Sequence, residues 1–238
     1  MEKIEVPVRE YVASVFYEPE DKKAPVVYTH FAVDEAESVL ELLKGERFAL
    51  VSIDGVDWDA ELSPWPEPKA FRTGEDFAGR AREYLSVLTK EIMPAAETAA
   101  GIAPEYRAIA GYSLSGLFAL WSLYQTDLFS RLASMSGSLW YDGFMDFMRK
   151  NSLERVPQRA YFSLGDKESS TKNQRMAKVG NCTRAAADIL LDSGAEVVFR
   201  YNEGGHFVNV PERIAEGLRW MLADGGDDVK VTYSETEL

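Results

Sequence analysis

Between Tyr106 and Tyr124 the chain passes from an apolar extended run into a helix by way of Gly111-Tyr112-Ser113-Leu114-Ser115-Gly116. Tyr106–Ala110 reads as a buried strand and Leu114–Tyr124 carries helical spacing, so the chain must turn sharply over Gly111–Ser115. Such a turn lifts Ser113 clear of the backbone. It also aims the amide of Leu114, at the start of the helix, at the point where a tetrahedral oxyanion would form, because the first amides of a helix lack acceptors and the dipole is positive there. The pattern is G-x-S-x-S-G, in which Ser115 stands where a second glycine would allow strand and helix to approach closely, with Gly116 next to it relieving the crowding. The same residues would also serve as a plain tight turn, and the rest of the chain decides between the two readings.

The surrounding sequence alternates regularly. After an extended stretch at Tyr11–Tyr17 come an apolar run Val26–Phe31, a helix Asp34–Leu43 and a strand Phe48–Ile53. A long irregular segment leads to helical spacing over Glu75–Lys90, the strand and helix of the turn, a strand Arg131–Met135 and a short helix Phe144–Lys150. A strand Arg159–Leu164, a helix Asn173–Leu191, a strand Glu196–Tyr201 and a helix Val210–Ala223 complete the order. Short apolar strands alternating with amphipathic helices predict an α/β fold: a doubly wound, mostly parallel sheet with helices on both faces. The 238 residues, 46% of them hydrophobic, suit one such domain spanning 1–238. The connection from Met135 to Arg159 has the length of an ordinary crossover, so no large lid is expected.

Lys and Arg number 26 against 39 Asp and Glu, a formal charge of -13. That balance repels nucleic acid and acidic membrane surfaces and leaves a small molecule as the expected partner. The N-terminal Met1-Glu2-Lys3-Ile4-Glu5-Val6 lacks the basic head and apolar core of a secretion signal, and no apolar run approaches the about 18 residues of a membrane span. The single cysteine, Cys182, cannot form an internal disulfide and reads as a small buried residue in a helix. A cytoplasmic location fits these features. Oligomeric state has no signature in the evenly spread charge.

In a parallel sheet, ligands gather at the carboxyl ends of the strands. Ser113, the turn Gly165-Asp166-Lys167-Glu168 and the loop Glu203-Gly204-Gly205-His206-Phe207 each follow a predicted strand on that edge. A serine nucleophile needs a general base, and of the two histidines His206 comes after Ser113 in a glycine-rich loop, whereas His30 lies in an apolar run and reads as a packed strand residue. The acid must accept the other ring N–H of the histidine. Glu168 has the longer reach, Asp166 is second, and Asp142 is a third position that reads more simply as an N-cap of the helix Phe144–Lys150. A second oxyanion donor is expected from the loop after Phe48–Ile53, at Gly55 or Val56.

This combination of elbow, acid turn and late Gly-Gly-His-Phe loop resembles the esterase family of α/β-hydrolases that takes in esterase D-like, feruloyl esterase-like and enterochelin esterase-like enzymes. The likeness runs from about Val26 to the last helix. It implies a serine carboxylesterase with Ser113 as nucleophile, His206 as base and Glu168 as acid, and an acyl-enzyme on the way to product. No metal or organic cofactor is required. Acyl transfer would use the same residues, and a binding protein that keeps the fold without the activity is the reading from another class.

The segment between Gly55 and Gly79 is too long and too proline-rich for a routine connection, and its aromatics Trp58, Trp65, Phe71 and Phe77 must bury large area. It is expected to form one wall of the site, with Trp58 and Trp65 against substrate. Trp140 and Tyr141, after Arg131–Met135, are expected to form the other. Asp57, Asp59 and Glu61 nearby would favour a neutral or cationic ester over an anionic one.

Overall fold

Runs of β-branched and aromatic residues form strands wherever both faces of the chain are covered, and this protein is built around such runs. The computed structural model describes residues 1–70 and 74–223. Eight strands form one sheet: β1 (Glu2–Val8), β2 (Tyr11–Tyr17), β3 (Val26–Thr29), β4 (Ala49–Asp54), β7 (Arg107–Tyr112), β8 (Arg131–Met135), β9 (Arg159–Gly165) and β10 (Glu196–Asn202), in spatial order β1-β2-β4-β3-β7-β8-β9-β10. Neighbours from β4 to β10 run parallel, and β2 is antiparallel to both β1 and β4. A two-residue ladder between β5 (Pro66–Glu67) and β6 (Phe77–Ala78) lies apart.

Successive side chains in the central strands point to opposite faces, so each strand feeds two cores. Helices α1 (Val33–Leu42) and α8 (Val210–Leu222) cover one face, where Val39, Leu218 and Met221 meet Leu50, Ala108 and Tyr161. Helices α3 (Ala81–Val87), α4 (Met93–Ala100), α5 (Leu114–Ser122) and α7 (Val179–Asp192) cover the other, where Leu85, Leu117 and Leu190 meet Val51, Ile109 and Phe162. The doubly wound α/β architecture is therefore present. No large lid interrupts the connection from β8 to β9, which holds only α6 (Phe144–Lys150).

Four features differ from the sequence expectation. Strand β1 pairs along its length with β2, and its half-exposed alternation of Ile4, Val6 and Val8 with polar residues is that of an edge strand, which also tolerates Pro7. Helical structure begins at Ala81, not Glu75, and continues past Lys90 through a π-helical turn (Leu88–Ile92) into α4. Pro94 has no N–H and its ring crowds the preceding turn, which the wider spacing there accommodates. Helix α7 begins at Val179; before it the chain makes a 3-10 turn (Met176–Lys178) anchored by Asn173, whose Oδ1 accepts from Arg175 N at 3.0 Å. The strand beside β7 on its outer side is β3, with Tyr28 opposite Ile109, and β4 lies one strand further out.

At the elbow, β7 extends through Gly111 and Tyr112, and the whole reversal falls on Ser113 (φ 60, ψ −124), with α5 (Leu114–Ser122) starting at the next residue. A side chain at positive φ carries about 1–3 kcal/mol of strain. Two hydrogen bonds hold Ser113 there, from its own amide to Met135 O (3.1 Å) and from Ser138 N to its carbonyl (2.9 Å). The demand for small residues falls on the glycines: a Cβ at Gly111 would lie 2.2 Å from Ser115 O, and one at Gly116 would lie 2.9 Å from Ser134 Oγ. Ser115 itself is fully buried, and its hydroxyl has no hydrogen-bond partner among the described residues. Gly111→Ala is therefore expected to cost about 3 kcal/mol or more through backbone displacement, whereas Ser115→Ala should stay within about 1 kcal/mol of the parent because no protein hydrogen bond is lost. Urea denaturation of both variants measures this, and a larger loss for Ser115→Ala would reverse the assignment.

Candidate active site

Three strand ends converge on Ser113. Strand β9 ends at Gly165 and turns through Asp166 and Lys167 to Glu168; β10 ends at Asn202 and leads into the loop carrying His206. The two loops approach so closely that a Cβ at Gly165 would sit 2.3 Å from Gly204 O. His206 Nδ1 lies 2.7 Å from Glu168 Oε2, and His206 Nε2 lies 3.0 Å from Ser113 Oγ. A carboxylate only accepts, so Nδ1 carries the proton and Nε2 is left free to accept from the serine hydroxyl.

Glu168 is surrounded by donors. Its Oε1 accepts from Gly165 N (2.7 Å), Ser136 Oγ (2.7 Å) and Arg213 Nη1 (3.2 Å). Burial alone pushes its pKa up, but the hydrogen bonds from His206, Ser136 and the Gly165 amide outweigh it and hold the carboxyl below its usual range. It is an anion at neutral pH.

Arg213 was not singled out by sequence reasoning. It lies in α8, 2% exposed, and its Nη2 donates to the carbonyls of Glu203 (2.8 Å) and Gly205 (3.0 Å) on either side of the His206 loop's turn. Its Nη1 also donates to Tyr112 Oη at 3.2 Å, and Tyr112 in turn donates to His206 O at 2.6 Å. One guanidinium thus fastens the acid, the histidine loop and the last residue of β7. The available signal was spacing: Arg213 stands four residues before Gly217, and both occupy the buried face of α8 next to Ile214 and Leu218.

The other candidate acids have different tasks. Asp166 is exposed and accepts from Gly204 N at 2.8 Å, bracing the loop. Asp142 pairs with Arg175 Nε and Lys178 Nζ, both at 2.7 Å, and the N-cap of α6 is Gly143, so Asp142 does not cap that helix. His30 is buried against Tyr84, whose hydroxyl lies 2.8 Å from its Nε2, and burial pushes its pKa down to about 3.

Ser113, Glu168 and His206 open into a cleft of about 590 Å³. Of the expected walls, Trp58 and Trp140 line it, together with Phe77 and Phe207. Trp65 and Tyr141 do not; they lock the long segment to the body, with Trp65 Nε1 donating to Asp142 O (3.0 Å), Tyr141 Oη donating to Trp65 O (2.6 Å) and the two rings packed edge to face. Phe71 lies outside the described residues. Asp57 caps α2 (Trp58–Glu61) and pairs with Arg80, and Glu61 accepts from Tyr11 Oη, which leaves Asp59 as the acid of that trio facing the cleft.

Gly55 is not brought to the site. Its amide donates to Asp54 Oδ1 at 2.8 Å and it packs against the backbone of Glu10, because β4 is separated from β7 by β3. Val56 is likewise absent from the cleft lining, and it is the loop after β3, with His30 and Phe31, that borders the cleft. Leu114 also lines it, at the first position of α5, where an amide has no acceptor within its own helix. Among the described residues no group of three or more His, Cys, Asp or Glu could hold a metal ion, and no helix is long and apolar enough to cross a membrane.

Residues 7–200 match the family model described as "Putative esterase". Among curated sequences, "Uncharacterized protein YbbA" of Bacillus subtilis (strain 168) is 25% identical over 180 residues, spanning 71% of this chain and 72% of that protein. Among solved structures, an IroE-like serine hydrolase from Shewanella oneidensis superposes with a TM-score of 0.76 at 17% identity, over 93% of this chain and 79% of the other. Siderophore hydrolase EstA from Aspergillus nidulans gives 0.73 at 18% identity, over 92% and 93%. At such identities the structural likeness speaks for the fold, and the family match carries the classification. The chain belongs to the family described as "Putative esterase", a family of ester-cleaving hydrolases.

Proposed function

We propose that the protein is a serine carboxylesterase that cleaves a small soluble ester through an acyl-enzyme. The observation that carries this reading is the unbroken hydrogen-bonded chain from Ser113 Oγ through both nitrogens of His206 to Glu168. His206 Nε2 takes the hydroxyl proton as Ser113 attacks the ester carbonyl, and Glu168 stabilises the imidazolium that forms. The imidazolium then protonates the departing alkoxide. Water attacks the acyl-enzyme with His206 again as base, releasing the acid and restoring the serine.

The negative charge that develops on the carbonyl oxygen needs donors aimed at it. Leu114 N is one. The second, in this fold, comes from the loop after the strand next to the nucleophile; with β3 in that place the amide of Phe31 takes the role first expected of Gly55. Arg213 acts through Glu168 and the His206 loop and is a positioning residue.

Ser113→Ala should reduce hydrolysis of a short p-nitrophenyl ester at least about a thousandfold. Equal rates for variant and parent would end the serine-esterase reading, and labelling of the parent by a fluorophosphonate probe, lost in the variant, gives a second readout. Glu168→Gln should lower kcat about a hundredfold or more, since it misorients the imidazole and removes the charge that stabilises it, while Asp166→Asn and Asp142→Asn have much smaller effects. The reverse order would reassign the acid. For Arg213, the measurement is kcat/KM against pH. In Arg213→Met the charge of Glu168 is no longer shared with a guanidinium, so the acidic limb should move to higher pH, whereas Arg213→Lys should lower kcat with that limb in place. A fall in rate with an unshifted limb in both variants would reduce Arg213 to a purely structural part.

A further inference from the structure

Among the described residues, one end of the cleft carries carboxylates that no cationic side chain meets. Trp58 and Asp59 open the short helix α2 after β4, and Glu35 stands in the first turn of α1 after β3; all three line the cleft. The strand order puts them on the opposite side of β7 from the loops of Lys167, Glu168 and His206. The charge of Glu168 is met by Arg213 and His206. Glu35 and Asp59 form no side-chain ion pair or hydrogen bond among the described residues, and Lys167, at the other end, is the one lysine or arginine among the cleft-lining residues described.

Burial and neighbouring carboxylates bear on both groups. Burial first, and then the neighbouring Asp34, pushes the pKa of Glu35 up; burial, then Asp57 and Glu75, does the same for Asp59. A half-buried carboxylate without a partner is unfavourable, and a cation entering the cleft removes that penalty. The remaining walls there suit the same guest. Trp58 is 41% exposed beside Asp59, and Phe31, Phe77 and Trp140 complete an aromatic lining. Aromatic faces attract ammonium groups while excluding the water that would screen the carboxylates.

We propose that this end of the cleft receives a positively charged amine, so that the preferred substrate is an ester whose acyl or alcohol arm carries an ammonium group. This rests on the assignment of Ser113 as nucleophile to the same cleft. An anionic ester meets repulsion from Glu35 and Asp59, reinforced by the overall charge of -13. An uncharged ester of the same shape gains the aromatic contact alone.

The test compares two butyrate esters of one shape, that of choline and that of 3,3-dimethylbutanol, which differ by one positive charge. The expected kcat/KM ratio is at least about tenfold in favour of the choline ester at low ionic strength, shrinking as salt screens the carboxylates. In the double variant Glu35→Gln, Asp59→Asn the ratio should fall close to one. A ratio at or below one in the parent protein overturns the proposal, as does a preference that survives the double substitution in folded protein or that salt leaves unchanged. The salt series uses the parent alone and decides the matter even where the double variant does not fold. Ser113→Ala separates the two readings: if it cleaves the uncharged ester as fast as the parent, the serine mechanism fails; if cleavage depends on Ser113 and the charge ratio is one or less, only the substrate proposal fails.

Discussion

Everything at the carboxyl edge of the sheet is organised by the buried contact between Glu168 and Arg213. The carboxylate takes hydrogen bonds from a turn after β9, a serine after β8, a histidine after β10 and a guanidinium on α8. Arg213 in turn holds two carbonyls of the histidine loop. A buried charge is tolerated only when it is paired and fully hydrogen-bonded, so these loops have one arrangement that leaves neither ion exposed to an apolar surrounding. The requirement that stabilises the pair is therefore the same one that brings His206 within reach of Ser113.

Backbone geometry supplies the rest. Ser113 sits at positive φ, a conformation kept by hydrogen bonds to the strand and loop beside it, and Gly111 and Gly116 allow β7 and α5 to close to contact. Gly165 does the same between two loops. In each case the absent side chain matters more than any present one, which is why the tight turn can carry a serine and a buried Ser115 side by side.

Much of this was legible in the sequence, for physical reasons that also explain the failures. Strands β8 and β9 read clearly because a strand covered on both faces is a short unbroken apolar run. The order of Ser113, Glu168 and His206 along the chain was visible because each directly follows such a run. Which strand lies next to β7 was not visible: β3 and β4 are both apolar, and their sequence order carries no record of the crossover by α1 that sets β4 outside, so the donor was expected after β4, at Gly55 or Val56. Arg213 was hidden because an arginine on an amphipathic helix reads as solvated surface, and its burial depends on acceptors that come from β7, β9 and the loop after β10. Trp65 and Tyr141 resemble Trp58 and Trp140 in the sequence, and only the packing of the long segment onto α6 decides which pair faces the cleft.

The position of Arg213 in α8, the last helix among the described residues, also bears on how the protein is made. Ser113 leaves the ribosome long before the histidine loop, and that loop is clamped only after the chain has reached α8 and docked it against the sheet. A nascent or truncated chain thus has Ser113 without His206 beside it and without the guanidinium that holds the histidine loop in place. The proposed catalytic arrangement is completed in one late step, together with the second core.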